Sequence, residues 1–480
     1  MFLGIDIGTS GVKAVVLDTT GQVVGQGTAA LTVQRPHPSW SEQDPDAWWD
    51  ATTAAVRAID PAIRRQVRGI GLAGQMHGAT LLGADDRPLR PAILWNDGRS
   101  AAECAELEAA TPAFHAIGGN LVMPGFTAPK LQWVRHHEPE VFDRIATVLL
   151  PKDYVRLRMT GDMASDVSDS AGTLWLDVAE RRWSDTLLAA TGLTEEQMPR
   201  LVEGSAATGR LRPDVAADWG MDAVPVAGGG GDNAAGAAGV GAVRDGDALL
   251  SLGTSGVIFV ATDGFRPNVA GAVHAFCHCV PDMWHQMAVH LSAAACIDWV
   301  ARLTGADGAA DLFARAERAG PASGPELFLP YLSGERTPHN DAQVRGAFLR
   351  LDNDSGPDAL AQAVLEGVGF ALADGLGVVR DAGTTVERLS VIGGGARSRY
   401  WGETLAAAMN VELVYLKGGE VGPALGAARL AQLAVDGGTP ADVCQPPPVS
   451  HVIAPDPALV DRLAPKYAAF RDAYPRIRTL

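Results

Sequence analysis

The pentapeptide Gly-Thr-Ser-Gly-Val occurs twice, at Gly8–Val12 and at Gly253–Val257, each time directly after an apolar run, "LGIDI" and "LLSL". An apolar run that ends at glycine and turns through Thr-Ser-Gly into a second apolar run reads as two strands joined by a tight turn. Its recurrence about half a chain apart in 480 residues predicts two halves built on one plan.

The rest of the chain follows that plan. Residues 2–34 alternate short β-branched runs with turns and read as a three-stranded meander. "SEQDPDAWWDATTAAVRAI" reads as a helix with Asp44 as N-cap and Pro45 at its first position. "VRGIGLAGQ" (67–75) is a further strand ending in glycine, and residues 101–220 are rich in helical patterns. At 224–242, "VPVAGGGGDNAAGAAGVGA" is a strand, four glycines and a helix of very small residues, to which another backbone can approach closely. The strand pattern restarts at Ala248. A helix over 357–382, the strand–turn–helix unit "RLSVIGGGARSRYWGETLAAAM", the strand "VELVYLK" and the helix "GPALGAARLAQLA" complete the second half. The tail beyond Val435 is rich in proline and is expected on the surface. The expected class is α/β, with a boundary near 235–247 and a ligand cleft between the halves.

A glycine turn between strands presents free N–H groups and two hydroxyls, and such a nest holds phosphate. Two nests facing one cleft can hold one polyphosphate from both sides. No GxxxxGK[ST] pattern occurs, so the P-loop is not the source of nucleotide binding. Asp6 stands two residues before the first turn. A carboxylate beside a phosphate nest is repelled unless a divalent cation lies between, and Mg²⁺ takes one or two carboxylates plus phosphate oxygens. Lys13, on the outgoing strand, can neutralise a phosphate oxygen; it is one of only five lysines against thirty-four arginines. The glycines of "IGGGARSRYW", Gly394 and Gly395 among them, precede a helix start and suit a phosphate or adenosine. Asp232, after four glycines at the expected cleft floor, can take a proton from a hydroxyl. A net charge of −17 argues against nucleic acid or an anionic membrane as partner. No run approaches the ~18 consecutive apolar residues of a membrane helix. With no leader pattern and an odd number of cysteines, five, the chain is expected in a reducing cytoplasm.

Together these segments resemble the FGGY family of carbohydrate kinases. The resemblance rests on "GIDIGTSGVK", "GQMHGATLL", "RPAILWNDGR", "GGGDNAAGA", "LSLGTSG", "FLPYLSGERTPH" and "IGGGARS", and runs through nearly the whole chain. It implies two duplicated domains of the actin, Hsp70 and hexokinase (ribonuclease H-like) type. Residues 1–236 would bind sugar and phosphate, 247–435 the nucleotide, and 436–480 would form a tail. The implied reaction moves the γ-phosphoryl of MgATP to the 5-hydroxyl of D-xylulose, with ribulose or glycerol as alternative acceptors. By motif match Asp232 is the general base, needing no large pKa shift, and Asp6 handles Mg²⁺ through water. Met76, His77, the amide of Gln75 and Asn233 would contact the sugar, with His77 donating to a hydroxyl. Thr9, Ser10, Lys13, Gly253 and Thr254 would hold phosphates, with Gly394 and Gly395 near the adenosine. A homodimer is compatible with the resemblance.

One departure stands out. Where the family's second signature usually reads Gly-x-Phe-x-Gly, "GAFLRL" puts Arg350 in the last glycine position, which puts the local backbone shape in question. "HAFCHC" (274–279) invites a zinc site, but Cys-x-Cys on a strand points its alternate side chains apart, and strand packing is the better reading. A chaperone-like ATPase of the same fold would leave the sugar motif without purpose, and a sugar-sensing regulator would need a basic DNA-binding segment.

Overall fold

The computed structural model describes residues 1–417 and 422–479. The meander expected at the N-terminus forms as β1 (Phe2–Ile7), β2 (Gly11–Leu17) and β3 (Val23–Ala30), antiparallel throughout. β1 is buried on both faces, and its other edge pairs in parallel with β4 (Gly69–Gly74). The sheet is completed by β5 (Ala207–Arg210) at its edge, β6 (Pro225–Ala227) beside β4, and the two-residue strand Gly230–Gly231, which pairs in parallel with the end of β4. The second sheet contains β7 (Ala248–Leu252), β8 (Gly256–Thr262), β9 (His274–Cys277) and β10 (Trp284–His290), then β11 (Arg388–Ile392), β12 (Glu412–Leu416) and β13 (Val449–Ile453).

The two sheets repeat one topology. Strand order β3-β2-β1-β4-β6-β5 in the first matches β10-β8-β7-β11-β12-β13 in the second. The directions match as well: each has an antiparallel meander, two parallel pairings and one antiparallel edge. β9 is the addition in the second sheet.

The chain beyond residue 436 departs from the expectation of a surface tail. β13 is the edge strand of the second sheet, the counterpart of β5. The helix Pro457–Ile477 buries Leu459, Leu463 and Phe470 against Leu329, Tyr331 and Phe370. Burying side chains of this size contributes about 1.5–3 kcal/mol each, so the segment is part of the second half.

The helix Gly422–Asp436 crosses back. Although it follows β12 in sequence, it packs on β1 and β4 of the first sheet and along the helix Asp232–Gly239. Both helices are rich in Ala and Gly, and the approach is backbone to backbone. A Cβ on Gly71 would run into the carbonyl of Ala427, and one on Gly426 into that of Ala235. The close approach expected from "AAGAAG" is therefore made by a helix of the opposite half. The helix Pro357–Asp381, long and apolar enough to cross a membrane, is mostly buried in the core.

Candidate active site

The two GTSGV turns form at the ends of β1 and β7. In the first, Ile7 pairs with Val12; in the second, Leu252 pairs with Gly256, so identical pentapeptides close with different registers. The N–H groups of Thr9 and Ser10, and of Thr254 and Ser255, meet no acceptor among the described residues. Carbonyls of the second turn are occupied: Gly253 and Thr254 accept the N–H groups of Ala294 and Ala293, at 2.9 Å each, where the helix Ala294–Thr304 begins. Gly393 and Gly395 lie against Leu252, the residue before the second turn, where a Cβ on either would come within 3 Å of it.

Asp6 lies opposite Lys13 in the β1–β2 register. One of its carboxylate oxygens is buried without a hydrogen-bond partner. Burial first, and then the negative charge of Asp232, raise its pKa from 3.8 to about 7, partly offset by Lys13. Asp232 is the first residue of its helix, with Gly231 as the N-cap, so it does not itself cap the helix. Its Oδ1 accepts the backbone N–H of Asn233 at 2.8 Å and that residue's side-chain amide at 2.9 Å. Burial lifts its pKa to about 6 in spite of those hydrogen bonds, so this carboxyl is shifted well above an ordinary one, whereas the sequence reading expects no large shift. Two repelling carboxylates, one with an orphaned oxygen, form a donor set suited to a divalent cation.

A cavity of about 310 Å³ lies between the halves. Met76, His77, Trp95, Phe126, Asp232 and Asn233 line it from the first half; Ser251, Ser255, His274, Phe276 and Arg336 line it from the second. His77 has a left-handed backbone (φ 68°), and its carbonyl is held by Lys130 Nζ at 2.8 Å and Thr127 Oγ1 at 3.2 Å. Its Nδ1 donates to the Gly172 carbonyl at 2.7 Å, and burial, then the charge of Lys130, lower its pKa to about 3. The imidazole is therefore neutral and its Nε2 is the ring atom left able to accept a hydrogen bond, whereas the sequence reading has His77 donating. Gln75 also differs from expectation. Its carbonyl accepts from Thr9 Oγ1 at 2.8 Å and its amide donates to Gln43 at 2.9 Å, while Trp95 Nε1 donates to the same threonine at 2.9 Å. Gln75 holds the first turn in place and is not part of the cavity wall.

Against known proteins, residues 1–239 match the N-terminal domain and residues 248–435 the C-terminal domain of the FGGY family of carbohydrate kinases. The chain belongs to the FGGY family. It is 59% identical over 437 residues to a xylulose kinase of Escherichia coli strain K12, covering 91% of this chain and 90% of that one. It is 54% identical to a xylulose kinase of Klebsiella pneumoniae over the whole of both chains. A solved structure of a "xyloylose kinase" from Brucella ovis superposes with a TM-score of 0.97 at 52% identity, covering 100% of this chain and 99% of that one. As an FGGY kinase it is a phosphotransferase with two actin-like domains, and ATP is its phosphoryl donor.

Several residues of this FGGY site carry no role in the sequence reading. Trp95 is 43% exposed at the cavity and hydrogen-bonded to the first turn. Lys152 is fully buried between Asp153 (2.6 Å), Asp166 (2.9 Å) and Asp169 (3.1 Å). Ser168 Oγ donates to Asp166 and accepts the N–H of Gly231 at 3.2 Å, so this ion cluster fixes the backbone just before Asp232. The scarcity of lysine was the available signal: Lys130 and Lys152 both turn out to be buried struts of the site. In "HAFCHC", His274 and Phe276 face the cavity together, as alternation requires. No metal-binding group of three or more His, Cys, Asp or Glu occurs among the described residues.

Proposed function

We propose that this FGGY kinase is a xylulose kinase, transferring the γ-phosphoryl of ATP to the 5-hydroxyl of D-xylulose to give D-xylulose 5-phosphate and ADP. The observation that carries the reading is Asp232, raised to about 6, in a sugar-sized cavity flanked by two turns with free N–H groups. A sugar hydroxyl is too weak an acid to ionise first. Asp232 accepts its proton as the bond to phosphorus forms, and a base near neutral does so more readily than an ordinary carboxylate. The free N–H groups of the turns hold the phosphate oxygens, Thr9 and Ser10 from one side and Thr254 with Ser255 from the other, while the Gly253 N–H closes its own turn on the Ser255 carbonyl at 3.0 Å and Gly394 and Gly395 lie toward the adenosine. Asp6 and Asp232 fit Mg²⁺, which when bound neutralises charge on the phosphates. Lys13, beside Asp6, adds one positive charge. His77 Nε2 accepts from a sugar hydroxyl while Met76, packed against Gly231, shapes the wall. The first domain, 1–236, carries the sugar and the second, from 247 onward, carries the nucleotide. Five free, buried cysteines and the need for ATP support action in the cytoplasm. ADP release measured with D-xylulose, D-ribulose and glycerol tests the substrate: the highest kcat/KM belongs to D-xylulose, and a preference for another acceptor overturns that choice.

A further inference from the structure

Within "LSGERTPH", Arg336 is the charged residue whose side chain makes no hydrogen bond or ion pair with a described residue. Its backbone is clamped: Glu335 Oε1 accepts the N–H groups of Arg336 at 2.8 Å and Leu291 at 2.9 Å, and Thr337 Oγ1 donates to Ala272 at 2.9 Å. Its guanidinium lines the cavity from the second domain, yet forms no ion pair or side-chain hydrogen bond with any described residue. A partly buried guanidinium without a partner is costly unless a ligand supplies one. Its charge acts on His77 and His274: burial lowers both imidazoles first, joined by Lys130 and then Arg336 at His77 and by Arg336 at His274.

His274 repeats the arrangement of His77. Its Nδ1 donates to Asn120 Oδ1 at 3.0 Å, and the amide is oriented by donating from Nδ2 to Ala275 at 3.0 Å, which leaves His274 Nε2 as an acceptor. The two imidazoles flank Phe126, with ring centroids 4.9 and 5.4 Å from it. This part of the cavity thus offers two acceptors and one charged donor.

We infer that Arg336 and His274 read the ketone end of the substrate: the guanidinium donates to the C2 carbonyl oxygen, and His274 and His77 accept from the hydroxyls on the adjoining carbons. A ketone can only accept, and its neighbouring hydroxyls can donate, so hydroxyl–ketone–hydroxyl complements acceptor–donor–acceptor. The inference rests on the ketose kinase reading and makes sugar recognition a property of both domains, complete only with Arg336 in place.

Xylitol and D-arabinitol differ from D-xylulose only at C2, where the carbonyl is reduced, and both keep the 5-hydroxyl. Steady-state kinetics of the parent, Arg336→Met and Arg336→Lys on all three give the test. Losing one charge-assisted hydrogen bond lowers kcat/KM for D-xylulose roughly 10–150-fold in Arg336→Met. The pentitols change by less than about threefold, because they lack the acceptor-only oxygen that the guanidinium serves best. KM for ATP stays put. Arg336→Lys keeps the charge and one donor; it narrows the ketose preference partway and can be read if the methionine variant does not fold. Equal losses on ketose and pentitols, or a rise confined to KM for ATP, overturn the inference. If the parent prefers another ketose, the named substrate fails, and that ketose against its own reduced alcohols still decides the role of Arg336.

Discussion

Replacing Asp232 by Asn separates what this carboxylate does for chemistry from what it does to stability. The exchange keeps the shape and the oxygen that accepts both hydrogen bonds from Asn233. It removes the proton acceptor, so kcat falls about 10²-fold or more while sugar binding largely survives. Stability moves the opposite way. Burial raises this group from 3.8 to about 6, which disfavours the ionised form in the folded protein by about 3 kcal/mol. For a raised carboxyl the penalty is absent below pH 3.8, where both states are protonated. It grows as pH rises and is complete above about pH 6. The asparagine protein therefore gains up to about 3 kcal/mol at pH 8 and almost nothing near pH 4. With an unfolding entropy of about 1 kcal/mol/K for a chain of this size, that is roughly 3 °C in Tm. Relief of Asp6 adds to it, since, after burial, the charge of Asp232 raises the Asp6 pKa. Calorimetry of both proteins in EDTA from pH 4 to 8, with kcat for each, is the assay. Near-normal kcat in the variant removes Asp232 from the base role; a Tm difference that is negative or flat with pH refutes the electrostatic account.

Asp6→Ala raises the Mg²⁺ concentration for half-maximal rate about tenfold or more and leaves the sugar KM within about twofold, and overlaid Mg²⁺ titrations would reduce Asp6 to a strand-end residue. In the parent, kcat/KM falls as pH drops through about 6, because the base must be ionised; a fall only near pH 4 would contradict its raised pKa. Arg350 has φ 61°, the left-handed backbone that glycine adopts without strain, so Arg350→Gly stabilises the protein by about 0.5–1 kcal/mol net of glycine's unfolded-state entropy, read as a shift in thermal midpoint at unchanged activity. Sugar with a non-hydrolysable ATP analogue shrinks the radius of gyration in solution scattering as the two turns close on one nucleotide, and an unchanged curve with both ligands bound counts against a two-sided grip.

How far the sequence reveals this site depends on whether local or distant contacts decide each residue. The meander over 2–34, the strand ending at Gly74 and the small-residue helix after Asp232 are legible because alternation and glycine placement act within a few residues. The terminal segment is not. Pro465 and Pro475 lie inside the helix Pro457–Ile477, where proline ordinarily reads as a break, and β13 gains its meaning only by pairing with β12. Gln75 has the chemistry to bind a sugar, and only the positions of Gln43 and Thr9 show that its amide is already engaged. Arg350 is the converse: the sequence raises a doubt about backbone shape, and the surrounding fold holds an arginine in the conformation expected of glycine.

The two GTSGV turns mark where local information stops. Both leave free N–H groups after the first glycine, and that property belongs to the pentapeptide. Their registers differ because their neighbours differ. Ser10 of the first turn gives its carbonyl to Leu31 of the meander, at 2.9 Å, whereas Gly253 and Thr254 of the second give theirs to the start of a helix. A duplicated turn with free N–H groups thus needs only the five residues, while the angle at which each turn meets the cleft is set by chain from elsewhere. Exchanging the two pentapeptides would change nothing in sequence, and for the same reason their different closures cannot be read from it.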